Sequence, residues 1–148
     1  MNIIADTCFW ISLCDGSQKN HNEVASMMEL IISSRRHRLL VPHPVLYETL
    51  CSEMVKKPEQ VVCLTRYFQG VQKVSDSLYF SAAYQLVEQQ AIDRKGTASM
   101  VDYLIMLMAE DSKNNVKAIL TSNGRDFANF CRKHQIPMID CMEVLKAV

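Results

Sequence analysis

Three acids interrupt apolar sequence in this chain of 148 residues. Asp6 ends the run Asn2-Ile3-Ile4-Ala5, Glu48 sits in Pro44-Val45-Leu46-Tyr47-Glu48-Thr49-Leu50, and Asp102 sits in Ser99-Met100-Val101-Asp102-Tyr103-Leu104-Ile105. None has a basic neighbour in its own run that would explain it as a local ion pair. A carboxylate buried unpartnered costs several kcal/mol, so something must compensate each of them. One acid alone is explained by an element edge or a helix cap. Several in one pocket repel each other and take up protons unless a divalent cation neutralises them. Hard oxygen donors suit Mg²⁺ or Mn²⁺ rather than zinc, and no His or Cys stands at matching positions. Such an ion polarises a phosphoryl oxygen and acidifies bound water, which is the chemistry of phosphodiester hydrolysis. A carboxylate not used in ligation then orients or deprotonates that water.

Elements that would gather these acids are legible in the apolar pattern. Residues 2–6 and 117–121 are short apolar runs of the buried parallel-strand kind, and residues 38–42 and 136–140 are weaker strand candidates, the second with Pro137 at a strand start or edge. A fifth strand falls near Val74. The 3.6-residue period of Val24, Met27, Met28, Ile31 and Ile32 predicts a helix, as does that of Leu46, Leu50 and Met54 after His43-Pro44. Helical pattern continues over residues 60–72, 78–93 and 99–113, with Thr97 or Ser99 as N-cap and Gly96 as breaker. Strand-helix alternation around a helical middle predicts one parallel sheet covered on both faces, a single domain over residues 1–148. Asp6 and the segment Thr121-Ser122-Asn123-Gly124-Arg125-Asp126-Phe127 then follow two strands at their carboxyl ends, where open α/β sheets hold their ligands.

Composition narrows the partners. Hydrophobic residues are 49% and charged residues 22%, with 4 Gly and 4 Pro, which excludes a disordered or fibrous chain. Lys+Arg 16 against Asp+Glu 16 leaves no net field to draw in nucleic acid or an acidic membrane, so a polyanion must be held locally or through a metal. Arg35-Arg36-His37-Arg38, Lys56-Lys57, Arg94-Lys95 and Arg132-Lys133 read first as solvated helix ends. Arg125, between Asn123 and Asp126, is expected to bind phosphate or to pair with an acid. The start lacks a basic n-region and no apolar run is long enough to span a bilayer, so a cytoplasmic location without membrane attachment is expected. The six cysteines, with no C-x-x-C pair, are expected as reduced and mostly buried thiols. His21, His37, His43 and His134 share no spacing and take no role; Phe9, Trp10 and Ile11 are expected to pack the first helix on the sheet.

The ordered set Ile3-Ile4-Ala5-Asp6-Thr7, Glu48, Ser99-Met100-Val101-Asp102-Tyr103-Leu104-Ile105 and Ile119-Leu120-Thr121-Ser122-Asn123-Gly124-Arg125-Asp126-Phe127 resembles the PIN-domain nucleases, in particular the bacterial VapC-like toxins, over nearly the whole chain. The resemblance implies a three-layer α/β/α sandwich with a small, mainly parallel sheet of four to five strands. It implies a metal-dependent endoribonuclease, with Asp6, Glu48 and Asp102 as the acidic triad around Mg²⁺ or Mn²⁺. It also implies a toxin-antitoxin pair, with RNA as substrate, a small antitoxin as partner and a homodimer. The family's fourth position, often Asp, is Asn123 here; its neutral carbonyl would hold a second metal less well unless Asp126 leans in to replace the charge. Thr7 and Thr121 match family hydroxyl positions that hydrogen-bond the acids or a bound water, though strand-end capping explains them equally. Thr7, Thr121 and Arg125 are therefore expected on the substrate side. The alternative is a PIN-fold scaffold or RNA-binding module that has lost cleavage. A haloacid-dehalogenase-type phosphotransferase would need an acid where Cys8 stands, and a receiver domain's acidic pair is also missing.

Overall fold

The structure, a computed structural model, describes residues 1–141. In chain order the elements are β1 (Asn2–Ala5), α1 (Thr7–Cys14), α2 (His21–Ser33), β2 (Arg38–Pro42), α3 (His43–Leu50), α4 (Pro58–Gly70), β3 (Gln72–Val74), α5 (Phe80–Asp93), α6 (Met100–Glu110), β4 (Val116–Thr121), α7 (Gly124–His134) and β5 (Met138–Asp140). Short 3-10 turns at Glu53–Lys56 and Ser112–Asn114 lead into α4 and β4.

All five strands run parallel in the order β3-β2-β1-β4-β5, with Ile3 opposite Leu39 on one side and Ala118 on the other. The order reverses at β1: the chain winds outward through β2 and β3, then returns to β4 and β5. Right-handed crossovers put the helices of the two halves on opposite faces. In agreement, α1 packs against α2, α3 and α4, while α6 packs against α5 and α7. This is the expected sandwich, and its switch point between β1 and β4 opens a crevice at the carboxyl ends of those strands.

The central strands are apolar because both faces are covered: Ile3, Ile4, Leu40, Val41, Ile119 and Leu120 are all buried. Trp10 and Phe9 on α1 are fully enclosed, and Trp10 meets Phe68 of α4 edge-on at 5.0 Å while its indole N–H donates to Ala5 O. Departures from the predicted elements sit at their edges. The helix over 60–72 ends at Gly70 because Gln72 has already joined β2 as the edge strand β3. Met54, assigned to the face of the helix after His43-Pro44, lies in a separate 3-10 turn, since α3 stops at Leu50. Ile32 and Leu50 are exposed despite falling on the predicted apolar faces. Among the described residues no helix is long and apolar enough to cross a membrane.

Candidate active site

The crevice is a cleft of about 690 Å³ lined by Asp6, Thr7, Cys8, Ile11, Glu48, Cys51, Ser52, Thr97, Ser99, Asp102, Asn123, Arg125 and Asp126. Each predicted site residue except Thr121 lines it, and Thr121 is buried directly behind Asp6. Three crossovers bring the acids together: Asp6 follows β1, Glu48 projects from the helix begun where β2 ends, and Asp102 sits in the first turn of α6.

Asp6 is the deepest of them, at 6% exposure. It is the N-cap of α1, and its Oδ1 accepts the Thr7 N–H at 2.6 Å. Its Oδ2 accepts the Thr121 hydroxyl at 3.0 Å and the Cys8 thiol at 3.1 Å. Burial nevertheless pushes its carboxyl above the ordinary range, and the charge of Asp102 pushes the same way against the hydrogen bonds. Thr7 joins two of the acids, giving its amide to Asp6 and its hydroxyl to Glu48. Both threonines thus bond the acids.

Asp102 is held differently. Its Oδ2 accepts the Ser99 N–H at 2.6 Å while Ser99 Oγ accepts the Asp102 N–H at 3.1 Å, a reciprocal capping box. Ser99, not Thr97, is therefore the N-cap of α6. Asn123 stands before the first turn of α7 with its amide nitrogen 2.6 Å from Asp126 Oδ2. Asp126 lines the same cleft as the acids, with both oxygens hydrogen-bonded to neighbours. Its other oxygen accepts the Thr97 hydroxyl at 2.7 Å, Arg125 lies 3.7 Å away, and these contacts hold the carboxyl below the ordinary range, Thr97 foremost.

Arg125 is the one cation among the residues lining the cleft, and it pairs with Asp126 rather than with the triad. Asp6, Glu48 and Asp102 form no ion pair among the described residues. The basic groups lie elsewhere: Lys56 pairs with Glu53, Lys57 with Asp15, and Arg132 and Lys133 occupy the last turn of α7. Arg38 pairs in register with Asn2 at the amino ends of the strands, opposite the cleft.

In kind the donors suit a hard divalent ion: three carboxylates and the Asn123 side-chain amide line one cleft, and among the described residues Asp6, Glu48 and Asp102 form no ion pair with a cation. Among the described residues, no three His, Cys, Asp or Glu side chains are placed close enough together to hold a metal ion as they stand. Glu48 instead takes the Thr7 hydroxyl and Asp102 turns back onto its own helix, as like charges do when the nearest donors are polar hydrogens. An open set remains compatible with Mg²⁺, which binds through one or two carboxylates and keeps several waters.

Two contributors lay outside the sequence reading. Thr97, read there only as a cap, ties the segment before α6 to α7 across the cleft through Asp126. Cys8 places sulfur beside Asp6, where no cysteine was expected, and burial pushes its thiol up to about 12. The cysteines are all free, but Cys51 is exposed and Cys8 and Cys63 are half-buried, so fewer are enclosed than expected.

No protein-family model and no characterised protein matches the chain by sequence. By structure it is similar to VapC20 of Mycobacterium tuberculosis, a toxin that cleaves the sarcin-ricin loop, with a TM-score of 0.66 and 17% identity over 86% of this chain and 94% of that one. It is also similar to VapBC2 of Rickettsia felis, solved bound to a DNA fragment from their promoter, with a TM-score of 0.62 and 15% identity over 94% of this chain and 98% of that one. At such identities the likeness is one of fold, and the chain accordingly has the PIN fold of the VapC toxins, with its acids at that fold's switch point.

Proposed function

We propose that the protein is a divalent-metal-dependent endoribonuclease acting as the toxin of a toxin-antitoxin pair. The observation that carries this reading is Asp6: a carboxylate buried at the switch point, sharing its cleft with Glu48 and Asp102 and paired with no cation of the described chain. Asp6 and Asp102 would hold Mg²⁺ or Mn²⁺, with Glu48 and the carbonyl of Asn123 beside them. The bound ion supplies charge neutralisation and an acidified water.

The chain's own groups supply the rest. Thr7 and Thr121 orient the carboxylates of Glu48 and Asp6 through their hydroxyls. Glu48, exposed and on the cleft wall, accepts the proton of the attacking water. The Arg125 side chain, 79% exposed, extends to a phosphate of the RNA while Asp126 holds its base. A net charge of zero leaves this cation and the metal as the anchors for a polyanion.

The same reading supplies the partners. An antitoxin with a basic side chain would neutralise the triad as the metal does. Two copies would associate through α5, which buries only Ala83 and leaves Phe80, Tyr84, Leu86 and Ile92 exposed. The site of action is the cytoplasm.

The test is cleavage of RNA by the purified chain, beginning with a folded ribosomal loop and a single-stranded control. Cleavage is expected with Mg²⁺ or Mn²⁺, should stop with EDTA, and should be absent from Asp6→Asn and Asp102→Asn variants that keep their fold. RNA bound but never cut by the parent would mark a scaffold and overturn the reading.

A further inference from the structure

Two relays converge on one oxygen of Asp6. In the first, the Ser122 N–H donates to Cys8 Sγ at 3.0 Å, and the Cys8 thiol donates to Asp6 Oδ2 at 3.1 Å. In the second, the Asn123 N–H donates to Thr121 Oγ1 at 2.9 Å, and the Thr121 hydroxyl donates to the same Oδ2 at 3.0 Å. The two relaying atoms lie 3.4 Å apart, side by side. With its single proton directed at Asp6, each has a backbone amide of the turn after β4 behind it. Oδ1 receives one donor, the Thr7 N–H.

A carboxylate oxygen has two in-plane lone pairs. Two donors saturate Oδ2, whereas Oδ1 keeps one lone pair. We propose that Cys8 is a positioning residue: with Thr121 it saturates Oδ2 and fixes the carboxylate plane, so that Oδ1 is the oxygen offered to a hard cation. This rests on the metal reading above. It assigns sulfur a place in the site without making it a ligand, in keeping with the mismatch between a soft donor and Mg²⁺. It also makes the β1 and β4 ends act as one unit, since Cys8 belongs to α1 and its amide donor to the β4–α7 turn.

The experiment uses the full chain and reads Mn²⁺ binding by titration calorimetry, metal-free thermal stability and RNA-cleavage kinetics. Cys8→Ala should weaken Mn²⁺ binding about tenfold, the size of one lost hydrogen bond to a charged group. Its kcat should fall at sub-saturating Mn²⁺ and recover in excess, with the KM for RNA unchanged. Cys8→Ser, whose hydroxyl donates in the same direction, should bind Mn²⁺ within about threefold of the parent. The proposal is overturned if Cys8→Ala binds Mn²⁺ like the parent while Asp6→Asn does not bind it. It is also overturned if Cys8→Ser is as weak as Cys8→Ala, or if thiophilic Cd²⁺ binds the parent far more tightly than Cys8→Ser, which would make sulfur a ligand. Should Asp6→Asn bind Mn²⁺ normally, the metal reading itself fails and this one with it.

Discussion

At the scale of single residues, the carboxyl of Asp6 is the strained point of the metal-free protein. Burial raises it above the ordinary carboxylate value of 3.8, so the folded state holds this proton more tightly than the unfolded chain does. The stability it contributes is full below that value and is lost as pH rises through the folded one. At neutral pH the buried charge is a liability. Asp6→Asn, whose amide still caps α1, should therefore raise the melting temperature of the metal-free protein by about 3 °C per kcal/mol gained. Calorimetry from pH 7 down to pH 4 should show the gap between variant and parent narrowing. Added Mn²⁺ should reverse the order, because binding stabilises only the chain that can bind. Asp126 makes the contrasting case. Its oxygens are committed to Thr97 and Asn123, so Asp126→Asn should keep cleavage within about tenfold of the parent, as expected for one weakened hydrogen bond.

At the scale of elements, the start of α6 couples stability to the site, since one capping box both ends the preceding loop and aims Asp102. Ser99→Ala should cost about 1 kcal/mol, read as a lower urea midpoint with unchanged slope, and should leave the Ser99 N–H to Asp102 intact. The start of α7 is tighter still. A Cβ on Gly124 would lie 2.5 Å from Asp140 Oδ2, so the Asn123–Asp126 turn depends on a residue without a side chain. Much of this scale was legible in advance. β1 and β4 announce themselves as apolar runs because both faces of a central strand are covered. β3 was only a suggestion near Val74, because Gln72 and Lys73 are exposed and an edge strand of three residues carries little pattern. The clustering of Asp6, Glu48 and Asp102 was also readable, since each acid breaks an apolar run. Cys8 and Thr97 were not: their roles rest on side-chain hydrogen bonds to partners distant in the chain, and a thiol or hydroxyl suits any environment.

At the scale of the whole molecule, α5 stands out as a helix packed on α6 that leaves Phe80, Tyr84, Leu86 and Ile92 exposed among polar residues. If two copies meet there, sedimentation of the parent should give a dimer, and a Tyr84→Glu, Leu86→Glu double variant a folded monomer. Strand order has a further consequence. The central strand of the sheet precedes its four partners in the chain, yet one of its two neighbours, β4, follows both β2 and β3, and the hydrogen bond from Thr121 to Asp6 spans 115 residues. A growing polypeptide on the ribosome therefore lacks one wall of this cleft until β4 has been made. On the proposed function, the nascent chain would spare its own message and the machine translating it until β4 has closed against β1.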